Sequence, residues 1–422
     1  MINDCFLGSL NINHMKTYLS LLLLIGLPFL GIGQIQSKIH YSNIKTAFVK
    51  NSNVLLHPNV VLNLGSEQNS TLQFDDLGLN YPNYYFRLIH CQSDWKPSPL
   101  SDIEYLQDFN DIPLRNPESS IGTKVPYLHY TIPLPAVKVS GNYVAMVYNK
   151  RNKKDTVLCV RFSVAEQIVR VSPQISYAKT NNLRASHQSV DFKLNIPPFL
   201  NFTGDDQLSI QIRQNYQSAN LLKKLPMGQF NQQDNTLSFP FFSQENAFPG
   251  SNEFRLIDLR SSLQKLNFVD HIETGEKINR ISTQVEQAQG LYPYIQRNDL
   301  NGAFAIESYE NKDNPLYADY VECTFQLKPI DTPQSLFLIG GFNDYQLESS
   351  LELNSTTGYF EHTELLKQGI YNYQYKSNNP SNTTLEGNYS QTENIYEILI
   401  YFQKPGTRYD SLVGYTTVVS GQ

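Results

Sequence analysis

The sequence predicts an all-β protein made of tandem β-sandwich domains. Three observations lead there. The chain holds 27 Tyr and 23 Phe, yet only 17% of its residues are charged, a composition that suits short strands better than long charged helices. Apolar and polar residues alternate with period two in many short runs. Long stretches with apolar residues at three- and four-residue spacing are missing, and prolines such as Pro97, Pro99, Pro197 and Pro198 punctuate the chain.

The elements follow in order. "GNYVAMVYN" (141–149) and "TVLCVRFSV" (156–164) are β-rich runs joined by a polar link, as in a hairpin. Val190, Phe192, Leu194 and Ile196 alternate with Asp191, Lys193 and Asn195, and Leu208, Ile210 and Ile212 with Ser209 and Gln211. Each of these two runs reads as a half-buried strand. "HIETGEKINRIST" predicts a hairpin around Gly275, and "SLFLIGGFNDY" a strand ended by Gly340 and Gly341. "GIYNYQYKS" sets Tyr371, Tyr373 and Tyr375 on one face. "NIYEILIYF" (394–402) is apolar on both faces and predicts a central strand. Boundaries are expected near residue 165 and at the Pro329–Pro333 stretch. They give an N-terminal sandwich over 34–165, a middle β-rich domain over 166–330 and a C-terminal sandwich over 331–422.

The 422 residues allow two to four domains, and a 40% hydrophobic fraction can fill their cores. The net charge is −6 with no basic block, which excludes a nucleic-acid partner. At the N-terminus, Met15-Lys16 precedes an apolar run, Tyr18 to Ile32, and Gly31 and Gly33 then stand before Gln34. This is the pattern of a signal peptide over residues 1–33, with Met15 as the start. The run is short and interrupted by Gly26 and Pro28, and no later segment predicts a transmembrane helix. Cys91, Cys159 and Cys323 remain after cleavage; they are odd in number and far apart, so they read as small buried residues.

"RLIHCQSDWKPS" (87–98) holds a His, a Cys, an Asp and the single Trp. Tyr84 to Cys91 reads as a strand, which sends His90 and Cys91 to opposite faces. They can then neither share a metal nor act as a nucleophile–base pair, and Trp95 reads as an anchor for the following loop. A hydrolase site around His90 and Asp94 is a second reading. The histidines show no metal-ligand spacing. Asp75-Asp76 and Asp205-Asp206 each stand near a glycine, which predicts turns. No GxSxG, Walker or GxGxxG motif occurs. The sequence therefore points to no catalytic, cofactor-binding or metal residues. Trp95, Lys96, Tyr105 and Arg255 are candidates for a partner interface.

"LFLIGGFNDYQ" and "GYFEHTELLKQGIYNYQYK" resemble an early-set, immunoglobulin-like β-sandwich and are similar in cadence to glycogen- and starch-binding modules, which implies tandem immunoglobulin-like/early-set β-sandwich domains. Those modules place Trp where this chain has Tyr345. On that resemblance the alternative is a carbohydrate-binding protein, with Tyr345, Tyr371, Tyr373 and Tyr375 as its sugar platform. A second resemblance spans nearly the whole chain after the signal peptide. "YYFRLIHCQSDWKPSPLSDIEYLQDFND", "VPYLHYTIPLP", "SGNYVAMVY", "FPGSNEFRLIDLRS", "YPYIQRNDLNGAF", "LLKQGIYNYQY" and "LEGNYSQTENIYEILIYFQKPGTRYDSLVGY" resemble, in order, the type IX secretion system plug protein family of Bacteroidetes. That resemblance implies a periplasmic protein without catalytic residues or cofactor. It would close the periplasmic mouth of the giant SprA-type outer-membrane barrel when no cargo is present. It also implies indirect partners: an outer-membrane shuttle barrel and a peptidyl-prolyl isomerase of the same translocon.

Overall fold

Tyr84, Phe86 and Leu88 point one way from the strand Tyr84–Cys91, and the core they enter organises the first third of the chain. A computed structural model describes residues 33–421, apart from 53–54, 205–206, 219–220, 223–227, 243, 313, 331–334 and 380–382. The expected signal peptide, the Asp205-Asp206 turn and part of the Pro329–Pro333 boundary lie outside the described residues. Among those described, the strands form five sheets.

Two of the sheets close on each other. One runs Lys38–Ile39, Thr156–Ala165, Gly141–Asn149, Tyr84–Cys91, Ile112–Pro113, with Val60–Asn63 parallel to Thr156–Ala165. The other runs Ile44–Lys50, Thr71–Asp76, Leu128–Pro133, Glu118–Ser119. Phe74 and Tyr130 from the second sheet meet Phe86, Tyr143 and Phe162 from the first in one buried cluster. The expected hairpin over 141–164 is present. At Thr46, with φ 53°, the register of Ile44–Lys50 shifts. The bulge turns Phe48 out of this sandwich, and its ring meets Phe304 edge-on at 6.2 Å.

The second sandwich is built from two distant parts of the chain. Arg170–Tyr177, His187–Asn195, Thr236–Ser238 and Gln229–Asn231 form one sheet, joined by Ala247–Pro249. The facing sheet runs Leu221–Leu222, Leu208–Gln214, Ile395–Phe402, Ser411–Val419. Residues from 255 to 377 form the fifth sheet, nine strands from Arg255–Asp258 to Val269–Glu273. They are therefore inserted between the two halves of the second sandwich. This corrects the expected break near residue 331, because strands from both of its sides share two sheets. Alternation reveals which face of a strand is apolar, but not which remote strand will lie beside it.

The nine-stranded sheet curls over its own core. Phe325 and Tyr373 lie on strands four places apart in the sheet order, about 19 Å in a flat sheet. Their ring centroids are 4.8 Å apart. The expected hairpin around Gly275 forms one edge, Val269–Glu273 with Asn279–Thr283.

Where the chain leaves for the insert and returns, the two crossings bind each other. Asn394 Nδ2 donates to Gly250 O at 2.9 Å, Asn215 Nδ2 donates to Asn394 Oδ1 at 2.7 Å, and Tyr389 N donates to Ser251 O at 2.8 Å. A Cβ at Gly250 would stand 2.0 Å from Tyr389 O, so only glycine fits.

The strand Ile395–Phe402 is buried on both faces, as its composition predicts. Tyr396, Ile398, Ile400 and Phe402 fill the second sandwich, while Leu399 and Tyr401 pack on Ala165 of the first. Ile398→Ala should lower the unfolding free energy by about 2–5 kcal/mol in a urea titration. Gly250→Ala should also destabilise, because its Cβ would collide with the Tyr389 carbonyl at the crossing.

Candidate functional site

The block 87–98 forms a strand end and a tight turn. Gln92 N donates to Lys96 O at 2.8 Å and Trp95 N to Gln92 O at 2.9 Å, with Trp95 at φ 66°. His90 faces the sandwich interior. Its Nδ1 lies 2.8 Å from Ser98 Oγ, and the rings of Tyr143 and Tyr409 meet it edge-on. Burial pushes the imidazole down to about 4, so it stays neutral at ordinary pH. A Cβ at Gly141 would stand 2.6 Å from His90 Nε2, leaving no room for a substrate atom there. Cys91 points to the opposite face, as its position in the strand predicts, and burial pushes its thiol up to about 12. Asp94 is tied to Lys96, 2.7 Å away. The hydrolase reading of His90 and Asp94 thus meets a neutral, enclosed imidazole and a carboxylate engaged elsewhere.

Three of the four residues expected at a partner interface are buried instead. Trp95 packs with Cys91, Met146 and Cys159 beneath the Arg161 guanidinium, 4.5 Å from its ring. Tyr105 Oη lies 2.6 Å from Asp102 Oδ1 and 3.0 Å from Leu88 O. Arg255 binds Glu386 at 3.0 Å and Glu286 at 3.1 Å below the Tyr375 ring. Each apolar body or charge finds its complement inside the chain, so none of the three offers free surface. Lys96 alone is exposed.

The tyrosines expected as a sugar platform under the alternative reading are also interior. Tyr371, Tyr373 and Tyr375 share one face, as expected, but that face is the core of the nine-stranded sheet. Tyr345 is buried with its Oη donating to Gly302 O at 2.8 Å. A stacking platform must be open to its ligand, and these rings are not.

The structure instead assembles a site that the sequence reading missed. Asp75, expected in a turn, lies in the strand Thr71–Asp76 on the outer face of the first sandwich. Its Oδ1 accepts from His129 Nδ1 at 2.6 Å. Its Oδ2 accepts from Lys367 Nζ and from Tyr320 Oη, each at 2.7 Å. Tyr320 Oη also meets Thr46 Oγ1 at 2.6 Å, and Lys367 Nζ sits 4.0 Å from the Tyr127 ring centroid. Asp75, His129, Thr46 and Tyr127 come from the first sandwich, Lys367 and Tyr320 from the insert. Burial alone would raise the Asp75 carboxyl; the Lys367 ammonium and the His129 hydrogen bond outweigh it and hold the group below its ordinary value. A cavity of about 210 Å³ adjoins this cluster, lined by Phe48, Gln73 and Ile306 among others. Only Asp76 does the expected turn work, accepting from Gly78 N at 2.7 Å. Strand pairing brings Asp75 and His129 side by side, and that register was the signal that alternation could not supply.

A second buried charge pair lies within the second sandwich, where the first sandwich covers it. Arg213 and Glu397 meet at 2.7 and 2.9 Å, and Arg213 Nη2 donates to Asn59 O at 3.0 Å. Beside them Gln211 Nε2 donates to Ser93 O at 2.9 Å and Tyr401 Oη to Asn142 Oδ1 at 2.8 Å. The turn of the His-Cys-Asp-Trp block is therefore a docking element between sandwiches. Gln211 was expected on a solvent face; it is buried because the first sandwich covers that face. Among the described residues no group of His, Cys, Asp and Glu could hold a metal ion, and no helix is long and apolar enough to cross a membrane.

The first sandwich coincides with a family match. Residues 44–166 match the type 9 secretion system plug protein 1st domain, from the strand that begins at Ile44 to the end of Thr156–Ala165. The first sandwich is therefore a domain of this family. The whole architecture recurs in the crystal structure of a hypothetical protein from Parabacteroides merdae ATCC 43184. That protein is 30% identical, with a TM-score of 0.83 over 92% of this chain and 100% of the other. No curated protein matches. The plug family is a component of type IX secretion, and this associates the chain with the secretion apparatus of the cell envelope.

Two measurements test the Asp75 cluster. Asp75→Asn should cost about 3–5 kcal/mol of stability at pH 7, because it leaves the Lys367 charge buried without its partner. The folded carboxyl titrates below its unfolded value, so its contribution is complete above about pH 4 and fades as pH falls through the folded value. The gap between wild type and Asp75→Asn in urea titrations should narrow accordingly below about pH 4.

Proposed function

We propose that the chain is a non-enzymatic periplasmic plug that seals the periplasmic opening of the giant SprA-type translocon barrel while no cargo occupies it. The match of residues 44–166 to the plug protein 1st domain carries this reading. The architecture supports it. A plug must stay folded against a wide pore without doing chemistry, and the two sandwiches and the insert are joined by a buried charge pair, buried hydrogen bonds and apolar faces. The most reactive residue types, His90 and Cys91, are used in packing. The outer-membrane shuttle barrel and the peptidyl-prolyl isomerase enter the reading as indirect partners through the same translocon.

Deletion of the gene in its own host tests the proposal. Secretion of type IX cargo should continue, while sensitivity to large antibiotics normally held out by the outer membrane should rise. Unchanged permeability in the deletion strain would refute sealing.

A further inference from the structure

The loop 101–111 of the first sandwich is rigid, acidic and capped by side chains that face water. Its chain is pinned at several points. Ser101 N donates to Glu104 Oε2 at 2.7 Å at the start of the one-turn helix Asp102–Tyr105. Leu106 forms a bridge with Val137. Asn110 is buried; its Nδ2 donates to Leu88 O and its Oδ1 accepts from Leu88 N, both at 2.8 Å. That amide supplies the two bonds a neighbouring strand would make to Leu88.

Phe109 lies immediately before this anchor, and its side chain does not fold back. It is 93% exposed, and Ile103 on the same loop is 77% exposed. A Phe held in water forgoes the stabilisation that the buried Phe residues of this chain obtain. Because the loop is fixed, docking such a side chain would cost little ordering entropy. Rigid aromatic anchors of this kind dominate protein interfaces.

The charge around Phe109 indicates what receives it. Residues 101–111 contain Asp102, Glu104, Asp108 and Asp111 and no Lys or Arg. Arg87, Arg408 and Lys153 pair with Asp102, Glu104 and Asp111 at 3.2, 2.8 and 3.1 Å. Asp108, next to Phe109, has no ion-pair partner among the described residues. Lys138 Nζ donates to Ile103 O at 2.9 Å, so the carboxylate left without a counter-charge is Asp108 beside Phe109, and a basic group on the rim of a protein pocket complements it.

We propose that Phe109, assisted by Ile103 and Asp108, is the anchor by which this chain docks into an apolar, basic-rimmed pocket on the periplasmic side of the translocon barrel. This rests on the plug reading above and adds the contact surface to it.

The test uses the tagged full chain in its own host. With Phe109→p-benzoylphenylalanine, irradiation should cross-link the chain to the giant outer-membrane barrel. In parallel, barrel recovered with Phe109→Ser should fall at least about tenfold relative to wild type. Leu263→Ser, at an equally exposed position of the insert, should leave recovery unchanged. Phe109→Ser should keep the wild-type melting temperature, because its side chain touches little in the fold. Wild-type recovery of the barrel by Phe109→Ser would overturn the anchor and leave the plug reading standing. Cross-links to lipid alone would also overturn it. Failure of the wild-type chain to recover any barrel would sink the plug reading and the anchor together.

Discussion

A strand that is apolar on both faces must be covered twice, and the strand Ile395–Phe402 sets that demand for this chain. One face is satisfied inside the second sandwich. The other would be left in water unless a second body closed over it. The first sandwich is that body, with Ala165 and Val61 against Leu399 and Tyr401. The neighbouring strand Leu208–Gln214 shares the covered face and brings polar groups into it. Arg213, Gln211 and Glu397 must then be satisfied within the contact, and they are, through one another, Asn59 and Ser93. The position of the first sandwich follows from these bonds, because a slip would take Asn59 O from the Arg213 guanidinium and Ser93 O from the Gln211 amide and leave buried donors unsatisfied.

The same reasoning explains why the buried charges join residues so far apart in sequence. Asp75 and Lys367, and Arg213 and Glu397, each link the first sandwich or the central strands to segments added much later in the chain. A buried ion pair contributes little net stability over well-packed apolar groups, since desolvation offsets most of the attraction. Its effect is on alternatives: any arrangement that separates the partners leaves a charge buried alone, which costs several kcal/mol. In a protein of many similar β-strands, where apolar faces could pair promiscuously, such penalties select one assembly.

Fold class and many individual strands were legible in the sequence because both depend on local alternation. The hairpin over 141–164, the turn around Gly275, the two-faced strand at 395–402 and the opposed His90 and Cys91 all follow from short windows of sequence. What was not legible depends on pairing between remote segments. The insertion of 255–377 into the second sandwich leaves no mark on any short window. Asp75-Asp76 looked like a turn because two adjacent acids near a glycine are usually solvated. Only the later arrival of Lys367 and Tyr320 makes Asp75 an interior group. Trp95, Tyr105 and Arg255 misled for a related reason. Aromatics and arginines are favoured at interfaces, and here the interfaces are internal to one chain.

An internally fastened body constrains how a plug can work. If the chain seals a pore, leaving it cannot involve the separation of sandwich from sandwich. That would expose Leu399 and Tyr401 and break the bonds of Arg213 to Asn59, Gln211 to Ser93 and Tyr401 to Asn142. Release has to occur at the outer surface, where contacts are few, partly polar and individually weak. A rigid body with a small number of projecting anchors meets both needs. Under the plug reading proposed above, the body would hold its shape under load, and the anchors would bind tightly enough to close the pore yet weakly enough for arriving cargo to displace them.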